Sequence, residues 1–161
     1  MVIIGFKVFK DKIETGLKFR TLRKRKEYYL RLWPGDFLHL YWKPRTPEME
    51  LIHKVRMRNY VPTTFAAITE AEARMDGFNS LEEMRDFLRE TYKSKAESQD
   101  YLWIIWDPPC VKCKTQMKFY RRLTKDGFEI YVCPKCGQEL RVQPSTGDIR
   151  LSESFKYFKM G

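Results

Sequence analysis

The sequence predicts an α+β fold, mainly β, in two parts: a mixed domain over residues 1–109 and a small ribbon domain over 110–161. Three observations lead there. Short runs rich in β-branched and aromatic residues recur along the chain, separated by turn signals. One stretch, 80–92, carries the clearest helical stripe. All four cysteines fall into two Cys-x-x-Cys pairs, Cys110/Cys113 and Cys133/Cys136, with 19 residues between them.

The elements follow in order. Segment 1–9 (Ile3, Ile4, Phe6, Val8, Phe9) is apolar and β-rich. Residues 10–16 read as a helical turn closed by Gly16. A strand is expected over 19–25, a turn at Trp33-Pro34-Gly35-Asp36, a strand over 37–42, a loop at 44–47 and a strand over 51–61. Residues 66–75 look helical. Ser80 followed by Glu83 has capping-box spacing, and Leu81, Met84, Phe87, Leu88 and Tyr92 form the apolar stripe of the helix it starts. A polar connector at 93–100 leads into a buried strand, 101–106, and Asp107-Pro108-Pro109 ends the first domain. In the second, strands are expected over 117–123, 128–132, 139–142 and 149–152, with turns at 124–127 and 144–148. The tail, 155–159, alternates aromatic and basic residues.

The cysteine spacing has a geometric meaning. Two residues between cysteines let a tight knuckle aim both sulfurs at one ion, and two knuckles complete a tetrahedral four-thiolate site with no open position. The expected cofactor is a structural Zn2+ held by Cys110, Cys113, Cys133 and Cys136. A reducing, cytoplasmic location agrees with thiols used for metal. The N-terminus lacks the form of a signal peptide, and no apolar run approaches the roughly 18 residues of a membrane span, so no membrane partner is expected.

Charge is the second broad clue. The net charge is +10, and it is uneven: residues 1–60 carry 15 basic and 6 acidic side chains, residues 61–109 carry 5 and 10, and residues 110–161 carry 11 and 5. Positive ends of this kind attract polyanions. Lys18, Arg20, Arg23, Lys24, Arg25 and Lys26 form one basic cluster. Lys118, Arg121 and Arg122, interleaved with Phe119 and Tyr120, form another suited to backbone contact and base stacking. One of Trp33, Trp42, Trp103 and Trp106 could stack a base. His39 and His53 are isolated.

The pattern Gly16-x-Lys18-x-x-Thr21-x-Arg23, then Pro34-Gly35-Asp36, then Asp76-Gly77-Phe78-x-Ser80, then a strand ending in Trp103-Ile104-Ile105, resembles the ASCH family over about residues 4–107. The resemblance implies a PUA-like β-barrel with flanking helices and work related to nucleic acid. Some members are amidohydrolases of N4-acetylcytidine, with a lysine, a threonine three residues later and a distant carboxylate. Lys18 and Thr21 match the first two. Asp76 lies where the acid falls, although the family often has Glu there, and Glu72 is the alternative. A lysine disfavoured as a cation by burial and by Arg20 and Arg23 can act as a base toward Thr21 or a water. In a regular strand Lys18 and Thr21 face opposite ways, so they converge only if the chain bends after Gly16 or the strand begins later.

The leading expectation is nucleic-acid binding, RNA rather than DNA, by barrel and ribbon together. The alternatives are an amidohydrolase with a Lys18/Thr21/Asp76 site and, behind it, a ribonuclease. The ribbon is expected to bind nucleic acid, dock a protein partner or cap the barrel.

Overall fold

The computed structural model describes residues 2–123 and 127–152. The turn at 124–126, the tail from 153 onward and the side chains of Arg121, Leu123 and Ser152 lie outside the described residues. The first sheet contains β1 (Val2–Phe6), β2 (Arg20–Lys24), β3 (Phe37–Trp42), β4 (Glu50–Thr64) and β5 (Asp100–Trp106). Its order is β1-β3-β4-β5-β2. β1 runs parallel to β3, and the other pairings are antiparallel.

β4 gives the sheet its shape. Its 15 residues pair with β3 in the first half and β5 in the second, with a register break between Met57 and Asn59. Such an irregularity bends a strand and increases its twist. The sheet therefore curls into a half-barrel whose edge strands are β1 and β2. A side chain, not a backbone ladder, joins these edges: the Arg23 guanidinium donates to the Gly5 carbonyl at 2.6 Å and lies over the Phe6 ring.

β5 is buried on both faces, which explains its unbroken apolar run. Leu102, Ile104 and Trp106 enter the cluster inside the curl, with Ile4, Leu38, Leu40, Val55 and Met57. Tyr101 and Trp103 enter a second cluster against the helices, with Phe65, Phe78, Met84 and Leu88. Around the sheet lie α1 (Lys10–Glu14), α2 (Glu27–Leu30), α3 (Glu70–Met75) and α4 (Leu81–Tyr92). α4 begins where expected, with Ser80 Oγ accepting from the Glu83 N–H at 3.1 Å. The reciprocal capping box sits elsewhere. Thr69 and Glu72 satisfy each other's backbone N–H groups at the start of α3. That cap divides the helix expected over 66–75 into a 3-10 turn, Phe65–Ala67, and α3. α2 was not anticipated; its four residues bury no side chain and so leave no periodic signal.

The second sheet is an antiparallel meander of β6 (Lys118–Leu123), β7 (Phe128–Val132), β8 (Glu139–Gln143) and β9 (Asp148–Ser152). The chain passes from one sheet to the next after Pro109, and the buried core crosses that point. Cys110, Met117, Tyr131, Cys133, Leu140 and Val142 share one cluster with Phe19 and the half-barrel interior. The Phe19 and Tyr131 rings meet edge to face at 5.6 Å, and the Arg56 N–H donates to Gln116 Oε1 at 3.0 Å. The ribbon is thus packed on the half-barrel.

Gly147 lies where the ribbon touches α3. It has φ +82°, and a Cβ there would stand 2.5 Å from the Ala71 carbonyl oxygen and 2.7 Å from Arg74 Cβ. Gly35 has φ +97° but open space around it. Gly35→Ala should therefore cost only the left-handed strain, about 1–2 kcal/mol, whereas Gly147→Ala must also part the two modules. Thermal unfolding of the two variants is expected to show the larger loss for Gly147→Ala, and equal losses would mean that the ribbon does not rest on α3.

Candidate functional site

β2 begins at Arg20, so Lys18 precedes the regular strand and escapes its alternation. This frees Lys18 to point to the same side as Thr21. Both line a cavity of about 760 Å3, together with Asp76, Arg23 and Gly5–Phe9. The cavity opens at the seam between the half-barrel's edge strands. Phe78, Met84, Phe87, Leu88 and Tyr92, from α4 and the turn before it, supply an apolar wall. Its size falls in the usual range for small-molecule pockets, roughly 300–1,000 Å3.

At the cavity floor Lys18 and Asp76 form a buried ion pair. Lys18 Nζ has three acceptors: Asp76 Oδ1, the Asp76 carbonyl at 2.7 Å and the Arg20 carbonyl at 2.8 Å. The two carbonyls can only accept. Along the remaining line, toward Oδ1, a proton can rest on either atom. Burial pushes the Lys18 ammonium below the ordinary lysine range, against the pull of Asp76, and lifts Asp76 above the ordinary carboxyl range, against the pull of Lys18. Both shifts favour sharing the proton.

The pair is held from several sides. Asp76 is the C-terminal cap of α3, and Lys12 Nζ donates to the next carbonyl, Gly77 O, at 2.5 Å. The Lys18 ammonium lies 5.7 Å from the centroids of both Phe6 and Phe9. Phe9 has φ +63°, a strained backbone for a non-glycine residue, and its ring meets Phe78 edge to face at 4.9 Å. Thr21 is buried and lines the cavity, and its hydroxyl makes no hydrogen bond among the described residues, to Lys18 or otherwise.

Glu72 is not the partner of Lys18. Its carboxylate caps α3 and lies 3.9 Å from Arg20. The basic cluster at 18–26 divides in two. Lys18 is buried, Arg20 is largely buried over the Trp103 ring, and Arg23 holds the seam; burial lowers both arginine pKa values. Lys24, Arg25 and Lys26 are exposed. On the ribbon Lys118 is exposed, while Arg122 pairs with Glu129 at 2.7 Å. Trp103 and Trp106 are core residues, and Trp33 is the most exposed tryptophan, at 76%. His39 and His53 do not line the cavity. What the sequence reading missed is the seam itself. Arg23 looked like one phosphate contact among six, and nothing local indicates that its partner is the backbone of β1.

The second site is the cysteine cluster. The four Sγ atoms all lie within 4.8 Å of one another. Tetrahedral thiolates at about 2.3 Å from zinc stand about 3.8 Å apart, so the donor set can hold a metal ion and is compatible with structural zinc. The two knuckles repeat each other. Lys114 N–H donates to the Cys110 carbonyl at 2.9 Å, and Gly137 N–H to the Cys133 carbonyl at 3.0 Å. The equivalent residues, Lys114 (φ +57°) and Gly137 (φ +77°), are both left-handed. One knuckle uses glycine there and the other strains a lysine. No family model, curated protein or solved structure matches the chain, so these geometries stand on their own.

Two outcomes follow. Lys18→Met or Asp76→Asn alone leaves an unpaired polar or charged group in the interior, at about 3–5 kcal/mol each. The double variant should lose clearly less than the sum in a denaturant-unfolding cycle, and additive losses would mean that the pair is not coupled. Lys114→Gly should raise the thermal midpoint, by relief of about 1 kcal/mol of left-handed strain, with metal content unchanged on elemental analysis.

Proposed function

We propose that the chain is an ASCH-type protein with a PUA-like half-barrel and a structural zinc ribbon, and that its cavity hydrolyses an exocyclic amide on a pyrimidine base such as N4-acetylcytidine. The observation that carries this reading is the placement of the buried Lys18–Asp76 pair and the unpartnered Thr21 hydroxyl on the wall of one base-sized cavity. Aromatic side chains along the rest of the wall suit a flat ring. A pocket with a proton-sharing pair suits acid–base chemistry better than phosphate binding, which asks for exposed cations.

In this mechanism the base lies between the Phe6–Phe9 strip and the α4 wall. Thr21 orients the substrate or the attacking water by hydrogen bonding. Water adds to the acyl carbon, and its proton passes to the Lys18–Asp76 pair. When the carbon–nitrogen bond breaks, the pair returns a proton to the departing exocyclic nitrogen. Water and amide become carboxylic acid and amine, and the pair ends as it began. The exposed Lys24, Arg25 and Lys26 favour a polyanionic carrier, so the base is read as one displayed on RNA or released from it.

The test is incubation of the metal-loaded protein with N4-acetylcytidine, and separately with an acetylated RNA oligomer, followed by chromatography of the nucleosides. Cytidine is expected from at least one substrate, and Thr21→Val, close to isosteric, should lower the rate by about a hundredfold or more. Failure of both substrates, or full activity in Thr21→Val, would overturn the mechanism.

A further inference from the structure

The outer face of β3 and β4, on the other side of the sheet from the buried cluster, carries a second charged surface. Lys54 and Arg56 are exposed and alternate along β4 with the core residues Val55 and Met57, so both point outward, whereas Arg58 sits at the register break and is half-buried. Lys54 and Arg56, two residues apart on the regular part of the strand, stand about 6.8 Å apart. Both are fixed by one exposed ring: Lys54 Nζ lies 4.4 Å and Arg56 Cζ 4.3 Å from the centroid of Phe37. Phe37 stands opposite Arg56 in the ladder, which accounts for the stacking. Arg56 is also tied to the adjoining turn, donating to the Gly35 carbonyl at 3.1 Å.

Arg58 reaches the ribbon. It donates to the Tyr131 hydroxyl and lies 5.4 Å from the centroid of Phe119, itself exposed and next to the exposed Lys118. The turn before β3 lies beside Met57, its Gly35 N–H donating to the Met57 carbonyl at 2.7 Å, and presents Trp33, whose own backbone N–H is bonded to Asp36 at 2.8 Å. None of Lys54, Arg56 and Arg58 forms an ion pair with a carboxylate among the described residues. Asp107 lies near enough to Arg58 and Arg56 for both to favour its charged form. Two exposed cations, Lys54 and Arg56, held against Phe37, therefore face solvent near the exposed Trp33 indole.

We propose that this surface, formed by Trp33, Phe37, Lys54 and Arg56, binds a single-stranded polynucleotide, its phosphates on Lys54 and Arg56 and a base on Trp33. Charge complementarity selects the occupant. An acidic peptide would satisfy the cations but leave the flanking rings without flat partners, whereas a single strand offers phosphates and bases in alternation. Cations already held against an aromatic ring lose less side-chain freedom on binding. The surface is separate from the cavity, and its binding does not depend on any reaction there.

The experiment is fluorescence anisotropy of labelled 12-nucleotide RNA and DNA single strands with the full metal-loaded chain, across a salt series. Binding is expected to weaken with salt by about 0.7 logarithmic units per phosphate contacted. Lys54→Gln/Arg56→Gln should lower that slope by about 1.4, and Trp33→Ala should weaken binding roughly 5- to 150-fold, with recovery in Trp33→Phe. A control of equal charge change, Lys93→Gln/Lys95→Gln, lies in the connector after α4. Absence of binding in the wild type, or the same loss of slope in the control pair, overturns the proposal. Circular dichroism of each variant separates loss of binding from loss of fold. Because the readout is binding, a failed amide assay leaves this test intact, and the reverse also holds.

Discussion

A buried lysine–aspartate pair organises this molecule. Moving two charges out of water is costly unless each finds partners, and the structure supplies them from separate parts of the chain. Asp76 comes from the end of α3, Lys18 from the loop before β2, and two backbone carbonyls complete the ammonium's shell. The pair thereby fixes α3 and the start of β2 relative to each other. Lys12 adds a second strap from α1 to Gly77. At the cavity floor each of these polar groups is held by several partners.

The curl of the sheet and the seat of the ribbon follow from related constraints. A half-barrel leaves two strand edges, and unpaired edges need management. Here Arg23 bridges them to Gly5 and leaves room beside the bridge for a cavity. The ribbon packs beneath the loop that carries Lys18, through Phe19 against Tyr131. A metal that holds the ribbon's two knuckles together would thus support the loop from below, without taking part in the chemistry. This fits a closed four-sulfur donor set better than a catalytic metal.

Much of this was legible in the residues. The strand at 37–42, the turn before it, the buried strand near 101–106 and the helix behind Ser80 carry local signals, through alternation, turn chemistry or capping, and they appear where expected. The cysteine spacing states a local geometry and was realised as one. The reading failed where tertiary structure decides. The helix expected over 66–75 is divided by a cap at Thr69, which closes a reciprocal capping box with Glu72 at the start of α3. Across the expected boundary after Pro109 one buried cluster joins residues of both sheets, through contacts such as Phe19 against Tyr131 that lie more than a hundred residues apart in sequence. Lys18, Arg20 and Arg23 looked like surface cations since charge alone does not reveal burial. The surface cations on β4 were visible only as an alternating strand.

The central claim is that Lys18 and Asp76 act as one proton-sharing unit. The most direct measurement is a pH titration by nuclear magnetic resonance, following the Asp76 side-chain carboxyl carbon and the Lys18 side-chain amine nitrogen in the same sample. The account predicts that both signals respond in shared steps. It also predicts that Lys18 releases its proton below the ordinary lysine range and that Asp76 takes one up above the ordinary carboxyl range. Two independent transitions at ordinary lysine and aspartate values would contradict it.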